Sequence, residues 1–397
     1  MNLSPDQDRA VAAVRRWLDH PTNPVFRLFG YAGTGKTTLA TLLASEAKGR
    51  VLFAAYTGKA ASVMRSRGCA DATTLHRLIY TSASKSTQRL VELEKQLEEL
   101  LLKLPEDHPD VRSLKYVILE EKNRVKSPSF RLNPDSEVRS ASLVVIDECS
   151  MVDDRMGNDL LSFGKKVLVL GDPAQLPPVR GEGFFTSQRP DVVLTQIHRQ
   201  AEGNPIIELA TRIRSGEDLP YGTWGDTSVV EREAFTRTLV STADQVIVGR
   251  NATRRLFNSN YRSRVMGFKT PLPCVADKLV CLRNNHDIGV LNGEVWAVRE
   301  TQSPSDSKIE LTLERGEEDC VSLTAHQAPF LGEEINWWER ADAEEFHYGY
   351  ALTCHKAQGS QWDRVVVNDE SSCFREHATR WLYTAVTRAA KSVVVVK

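Results

Sequence analysis

Gly30-Tyr31-Ala32-Gly33-Thr34-Gly35-Lys36-Thr37 is the stretch from which the fold is read. It follows the apolar run Val25-Phe26-Arg27-Leu28-Phe29 and precedes the helix-prone Thr38-Leu39-Ala40-Thr41-Leu42-Leu43-Ala44. Strand, glycine-rich loop and helix is the context in which the spacing G-x-x-x-x-G-K-[ST] cradles phosphate. The glycines let backbone N–H groups curl around phosphate oxygens, and the helix N-terminus adds its partial positive charge. Lys36 supplies a point charge for the phosphates and Thr37 a hydroxyl for Mg²⁺. Nucleoside triphosphate binding is therefore expected at Gly30, Ala32, Gly33, Thr34, Gly35, Lys36, Thr37 and Thr38.

Working outward, Val144-Val145-Ile146-Asp147-Glu148 reads as a buried strand ending in two carboxylates. Beside a P-loop, Asp147 is expected to hold Mg²⁺ through its water shell and Glu148 to orient and deprotonate the attacking water. The next strand, Val167-Leu168-Val169-Leu170, runs into Gly171-Asp172-Pro173-Ala174-Gln175. The neutral amide of Gln175 can bond a γ-phosphate and lose that bond after hydrolysis, which suits a sensor. Upstream, Ser4 is a good N-cap with Pro5 at the first helical position. Gln7, one turn inside, carries an amide able to meet the donor and acceptor on adenine's edge.

At 397 residues the chain is too long for one core, so two large domains with insertions are expected. No apolar run of about 18 residues is present, which argues against a membrane-spanning helix. The first residues lack the basic-then-apolar layout of a signal peptide. Seven scattered cysteines without a C-x-x-C pair fit thiols in a reducing cytoplasm, the expected location. A net charge of −1 gives no whole-chain signal for a polyanion, but one basic groove on an acidic body needs none.

Val51-Leu52-Phe53-Ala54-Ala55 reads as a buried parallel strand, so Thr57, Gly58 and Lys59 fall beyond its carboxyl end, where ligands of α/β sheets bind. Residues 80–140 read as an insertion. It opens with leucines at helical spacing in residues 90–104, one helix of an antiparallel hairpin, and later carries a basic tract around Phe130. The second half is expected to start near Asp191. It includes the strand Gln245-Val246-Ile247-Val248 and a helix capped by Asn251 or Thr253. Residues 271–344 alternate as strands, with a hairpin signal at Asn292-Gly293, and read as a small β-barrel. A strand at residues 364–367, a helix at 379–390 and a strand at 393–396 complete the second half.

With both halves set out, the chain resembles the superfamily 1B DNA helicases of the RecD-like and Dda-like kind, which are AAA-type P-loop ATPases. Residues 3–7 are similar to that family's adenine-reading Q motif, 30–38 to motif I, 55–61 to motif Ia and 73–76 to motif Ib. Residues 145–151 resemble motif II, 171–178 motif III, 194–199 motif IV, 350–360 motif V and 383–388 motif VI. The resemblance covers nearly the whole length, in the family's order.

It implies an α/β fold of two RecA-like P-loop NTPase domains with ATP and Mg²⁺ in the cleft between them. The first domain would comprise residues 1–79 and 141–190, and the second 191–270 and 345–397. The insertion 80–140 would carry a strand-separating element, and 271–344 would be an SH3-like barrel. Arg199 and Arg388 would reach the γ-phosphate from the second domain, and Gly359 would approach the nucleotide. Thr57, Gly58, Lys59, Thr74, His76, Asn251, Thr353 and His355 would hold single-stranded DNA, with Phe130 as the wedge at a junction. The implied activity is ATP-driven 5′–3′ translocation and unwinding by a monomer, with replication or recombination proteins as partners. The departures are the helical start of the insertion and Gln361 where many relatives have Glu. A nucleotide-gated binding protein without processive unwinding is the alternative that the unusual insertion leaves open.

Overall fold

The computed structural model describes residues 3–82, 88–106, 108–126, 130–179, 181–196, 203–285, 287–305, 307–316, 319–335, 339–340 and 342–397, with the backbone alone for 82, 88, 91, 122–126 and 130. Its centre is a six-stranded, all-parallel sheet. In spatial order the strands are Thr73–Thr74, Val51–Ala55, Leu143–Asp147, Lys166–Gly171, Val25–Gly30 and Val192–Leu194. Val25–Gly30 is buried along its whole length, so both faces must be covered. Alternation along the strand divides the core. Phe26 and Leu28 pack with Val11, Val14 and Leu39, whereas Val25 and Phe29 pack with Leu75, Met156 and Leu160 on the other face.

Register and parallel direction fix where the chemistry falls. Phe29 pairs with Gly171, and Ala55 with Asp147, so Gly30, Ala55, Asp147 and Gly171 all leave the sheet at one carboxyl edge. Val192–Leu194, assigned to the second half by the sequence reading, instead pairs in parallel with the P-loop strand through Leu28–Val192 and Gly30–Leu194. The first unit therefore runs past Asp191. A short apolar run cannot reveal which of two sheets will accept it.

The second sheet is also six-stranded. Its order is Ala351–Thr353, Gln245–Val248, Trp362–Asn368, Ala389–Val396, Thr227–Val230 and Gly222–Trp224, parallel except for the last pair. Residues 278–348 add a five-stranded antiparallel sheet, and an isolated bridge from Ala325 to Glu344 joins its first strand in spatial order to the lead-in of its last. The Asn292-Gly293 signal does not make a two-residue hairpin. The strands on either side of it, Lys278–Cys281 and Val295–Thr301, are linked by a longer loop with its own bridge between Asn285 and Val290. Among its described residues the first insertion holds the helices Gln88–Leu101 and Pro109–Lys126 and a two-stranded ribbon of Tyr80–Ser82 and Phe130–Leu132.

Candidate functional site

The P-loop takes the shape its glycines allow. Gly33 and Gly35 have φ of 81° and 76°, a left-handed backbone open to glycine at little cost. A Cβ on Gly30 would lie 2.6 Å from Thr34 Oγ1, so a side chain there would push into the loop. Lys36 Nζ donates to the carbonyls of Gly30 (2.6 Å) and Tyr31 (3.1 Å), which holds the ammonium over the loop. Thr37 Oγ1 donates to Asp147 Oδ2 at 2.7 Å, and Asp147 Oδ1 accepts the Glu148 N–H at 2.8 Å. Two hard oxygen donors from separate elements thus converge beside the loop, a donor set that suits Mg²⁺.

Glu148 has φ 53° and ψ 45°, a strained backbone for a residue with a side chain, as found at functional sites. Burial pushes its carboxyl pKa up. Arg388 and Lys36 pull it down, while Asp147 and Asp172 add to the rise. Asp172 is likewise raised by burial, against Lys36, the Tyr383 hydroxyl and the Ala174 N–H.

The second unit supplies the opposite wall. The Tyr383 hydroxyl donates to Asp172 Oδ2 at 2.7 Å and accepts the Ala32 N–H at 2.9 Å. One phenol oxygen thereby joins the P-loop, the end of strand Lys166–Gly171 and the helix Ala378–Val386. One residue on, Thr384 Oγ1 accepts the Leu176 N–H (2.9 Å), and Gln358 Nε2 donates to Leu176 O (2.9 Å). The Arg214 guanidinium lies 3.5 Å from the Tyr31 ring centroid, a cation–π contact across the same seam. Arg388, 6% exposed, donates to Thr384 O, Ser360 O and Thr387 Oγ1, and its field reaches Glu148. Gln175 is buried next to this seam, with no hydrogen-bond partner for its Oε1 among the described residues.

Gln7 carries out a local task the sequence reading had not given it. Its Oε1 accepts the Ser4 N–H (3.0 Å) in a capping box, and its Nε2 donates to Thr34 O (3.1 Å), tying the first helix to the P-loop. Gly359 meets the helix that follows strand Val51–Ala55. With φ 75°, its Cβ position falls 2.6 Å from Thr57 Oγ1, so it lets the second unit meet the first at helix Gly58–Ser66. Arg199 lies outside the described residues, as does the side chain of Phe130.

The residues expected to meet a strand divide by local role. Thr57 and Thr74 cap helices through the N–H groups of Ala60 and Arg77, while Lys59 is half-buried. Gly58 and Thr74 open onto a groove of about 910 Å³ between the first unit and the five-stranded sheet, also lined by Ser62, Arg65, Arg77 and Arg315. His76 sits between Tyr56 and Tyr80, with ring centroids 5.8 and 5.9 Å away, and burial lowers its pKa. Thr353 is buried at the start of helix Cys354–Ala357. His355, its pKa also lowered by burial and by His377, has its ring centroid 5.9 Å from that of Phe374. Asn251 is exposed and begins its helix, but neither it nor Thr253 caps that helix. The Thr253 hydroxyl instead donates to Glu370 at 2.6 Å.

Three site residues escaped the sequence reading as individuals: Asp172, Tyr383 and Asp6. Buried Asp6 accepts from Thr195 N, Thr195 Oγ1 and Gln196 N (3.0, 2.9 and 3.0 Å) and pairs with Arg9. It fixes the segment that leads toward residue 199. The available signal was an acid in a first helical turn, a common placement that points at no partner.

A family model described as the AAA domain matches residues 2–230, and one described as the UvrD-like helicase C-terminal domain matches residues 348–396. The ATP-dependent RecD2 DNA helicase of Deinococcus radiodurans is 27% identical over 279 residues, 62% of this chain and 35% of that protein. The chain spans about a third of the length of the curated relatives it matches, 35% and 31%. A solved structure concerned with DNA unwinding at forked double-stranded DNA by two coordinating Pif1 helicases has a TM-score of 0.55 at 18% identity. It covers 100% of this chain and 92% of that one. Bacteroides Pif1 bound to single-stranded DNA has a TM-score of 0.53 at 19% identity, with coverages of 100% and 92%. The mixed α/β architecture with parallel sheets is thus shared with the RecA-like domains of Pif1 helicases.

Proposed function

We propose that this chain, which belongs to the AAA-domain family, is an ATP-dependent motor of the superfamily 1B, RecD- and Pif1-like kind that moves 5′ to 3′ along single-stranded DNA and unwinds duplexes. One contact carries most weight: the Tyr383 hydroxyl, from the second unit, bonds both the P-loop N–H of Ala32 and Asp172. Chemistry at the P-loop therefore cannot change that corner without being felt across the seam.

In this proposal the N–H groups of Gly33 to Thr38 and the Lys36 ammonium hold the triphosphate, and the Gln7 amide, beside the loop, meets adenine. Thr37 and Asp147 are the residues that would hold Mg²⁺, which when bound neutralises charge on the phosphate oxygens. Glu148, its proton affinity raised, takes the proton of the attacking water. Arg388 and Arg199 stabilise charge building on the transferred group, and Gln175 reports whether a γ-phosphate is there.

The strand would cross the groove beside Gly58 and Thr74, then Asn251, Thr353 and His355, with Thr57, Lys59 and His76 alongside. The five-stranded sheet would be an SH3-like barrel, and the insertion would present Phe130 as the wedge. A cytoplasmic monomer acting at single-strand/duplex junctions, beside replication or recombination proteins, completes the proposal. Among the described residues no helix is long and apolar enough to cross a membrane.

Strand displacement on duplexes carrying a 5′ or a 3′ single-stranded tail tests this directly. ATP-dependent release from the 5′-tailed duplex alone is expected. Release from neither, despite DNA-stimulated hydrolysis, would replace the motor with a nucleotide-gated binding protein.

A further inference from the structure

Helices Arg237–Thr242 and Asn251–Asn260 cover one face of the second sheet, where Val240 and Phe257 pack with Val246, Val248 and Val366. Between them a groove of about 480 Å³ stays open, within the size range of ligand sites. Phe235, Val240, Leu256, Phe257 and Val265 line it, and Leu256 is 64% exposed, a large apolar side chain left in water. At its far end the second helix passes into a π-helical turn, Tyr261–Val265, closed by the bond from Met266 N to Tyr261 O at 3.1 Å. Widened turns of this kind recur at functional sites, and this one brings Arg264 and Val265 to the groove.

Two exposed arginines, Arg237 and Arg264, complete the lining. Arg237 Nη2 donates to Val265 O at 3.0 Å, and among the described residues neither arginine pairs with a carboxylate. No lining residue is acidic. Glu370, which accepts from the lining Thr253, is already met by the Arg250 side chain and by the N–H groups of Gly249 and Arg250. The groove therefore offers apolar surface and unmet positive charge side by side.

We propose that this groove is a docking site for an acidic peptide segment of a partner protein, which seats a bulky apolar side chain between the two helices and sets carboxylates against Arg237 and Arg264. Guanidinium and carboxylate match in charge and in their paired hydrogen-bonding atoms. An apolar anchor within a charged rim is how such contacts combine affinity with orientation. Charge alone would equally suit a nucleic-acid backbone, but the rings do not suit bases. Phe257 is stacked on Tyr261 and tilted against Phe235, both at 5.9 Å between centroids, and Tyr261 is stacked on Tyr350 at 4.4 Å. These rings face one another, whereas a base needs an open aromatic face on which to stack. Leu256, Arg237 and Arg264 have no part in the proposed handling of nucleotide or strand, so the docking site goes beyond the motor and does not depend on it.

Fluorescence anisotropy of the full chain with fluorescein-labelled peptides tests it. In the first peptide a Phe-Leu pair lies between two Glu-Glu pairs. In the second, alanines replace Phe-Leu, and in the third, lysines replace the glutamates. Binding of the first alone is expected, weakening as salt rises. Leu256→Asp and Arg264→Gln, both at exposed positions, are each expected to weaken it about tenfold and to leave DNA-stimulated ATP hydrolysis at the wild-type rate. No binding of the first peptide, equal binding of the second or third, or binding that neither substitution weakens overturns the proposal. Displacement of the peptide by an oligothymidylate gives the groove to the strand, and a dimer in sedimentation that Leu256→Asp dissolves gives it to a second copy; either result overturns the proposal as well. Hydrolysis lost in both variants would tie the groove to the motor and count against a separate docking site.

Discussion

At Glu148 a carboxyl is lifted by burial and held on a left-handed backbone beside Asp147, so its proton affinity and its aim are set together. In the proposed mechanism Glu148→Gln keeps the shape and removes the base, and is expected to slow hydrolysis by about 10²- to 10⁴-fold. The base works only when deprotonated, so the rate should climb as pH rises through its pKa. That acid limb should lie above the 4.5 of an ordinary glutamate, as kcat against pH would show. The convergence of Lys36, Thr37, Asp147 and Glu148 was legible because a phosphate cradle demands those types at fixed spacing after strands. Tyr383 and Asp172 were not legible as a pair. A hydroxyl's partners depend on which surfaces the fold brings together, and here 211 residues separate the two.

Among elements, the first helix does more than cap itself. Its Ser4–Gln7 box sets the N-terminus, Gln7 reaches Thr34, and Asp6 anchors residues 195–196. Burial alone would raise the Asp6 carboxyl, but hydrogen bonds from Thr195 and Gln196, with Arg9, outweigh it and bring it down to about 2. A depressed folded-state value means the stabilisation is complete above the ordinary 3.8 and fades as pH falls through about 2. Acid unfolding followed by circular dichroism should therefore show Asp6→Asn less stable than wild type at pH 6, the gap closing toward pH 2. An equal gap at both ends would mean that the charge is irrelevant. Strand identity was the harder element to read. Gly222–Trp224 and Thr227–Val230 are short and lie at one end of their sheet, and nothing in their pattern announced them. Val192–Leu194 was placed with the second half, and its pairing with Val25–Gly30 puts it in the first sheet instead.

For the whole molecule, the two parallel sheets matter because their edges face each other across one seam, bridged by Tyr383, Thr384, Gln358 and Arg214. A mixed α/β fold with parallel sheets was legible from periodicity and from the order of the motifs. The closeness of Gly359 to Thr57 was not, since such an approach is a property of two assembled units. What ties the architecture to work is the position of Arg388 on the second unit, with its charge acting on Glu148 of the first. Single-turnover ATP hydrolysis by Arg388→Ala, beside a measurement of nucleotide affinity, tests this most directly. Hydrolysis is expected to fall by about 10³-fold or more with nucleotide binding largely retained, whereas hydrolysis at the wild-type rate would contradict a catalytic seam between the two units.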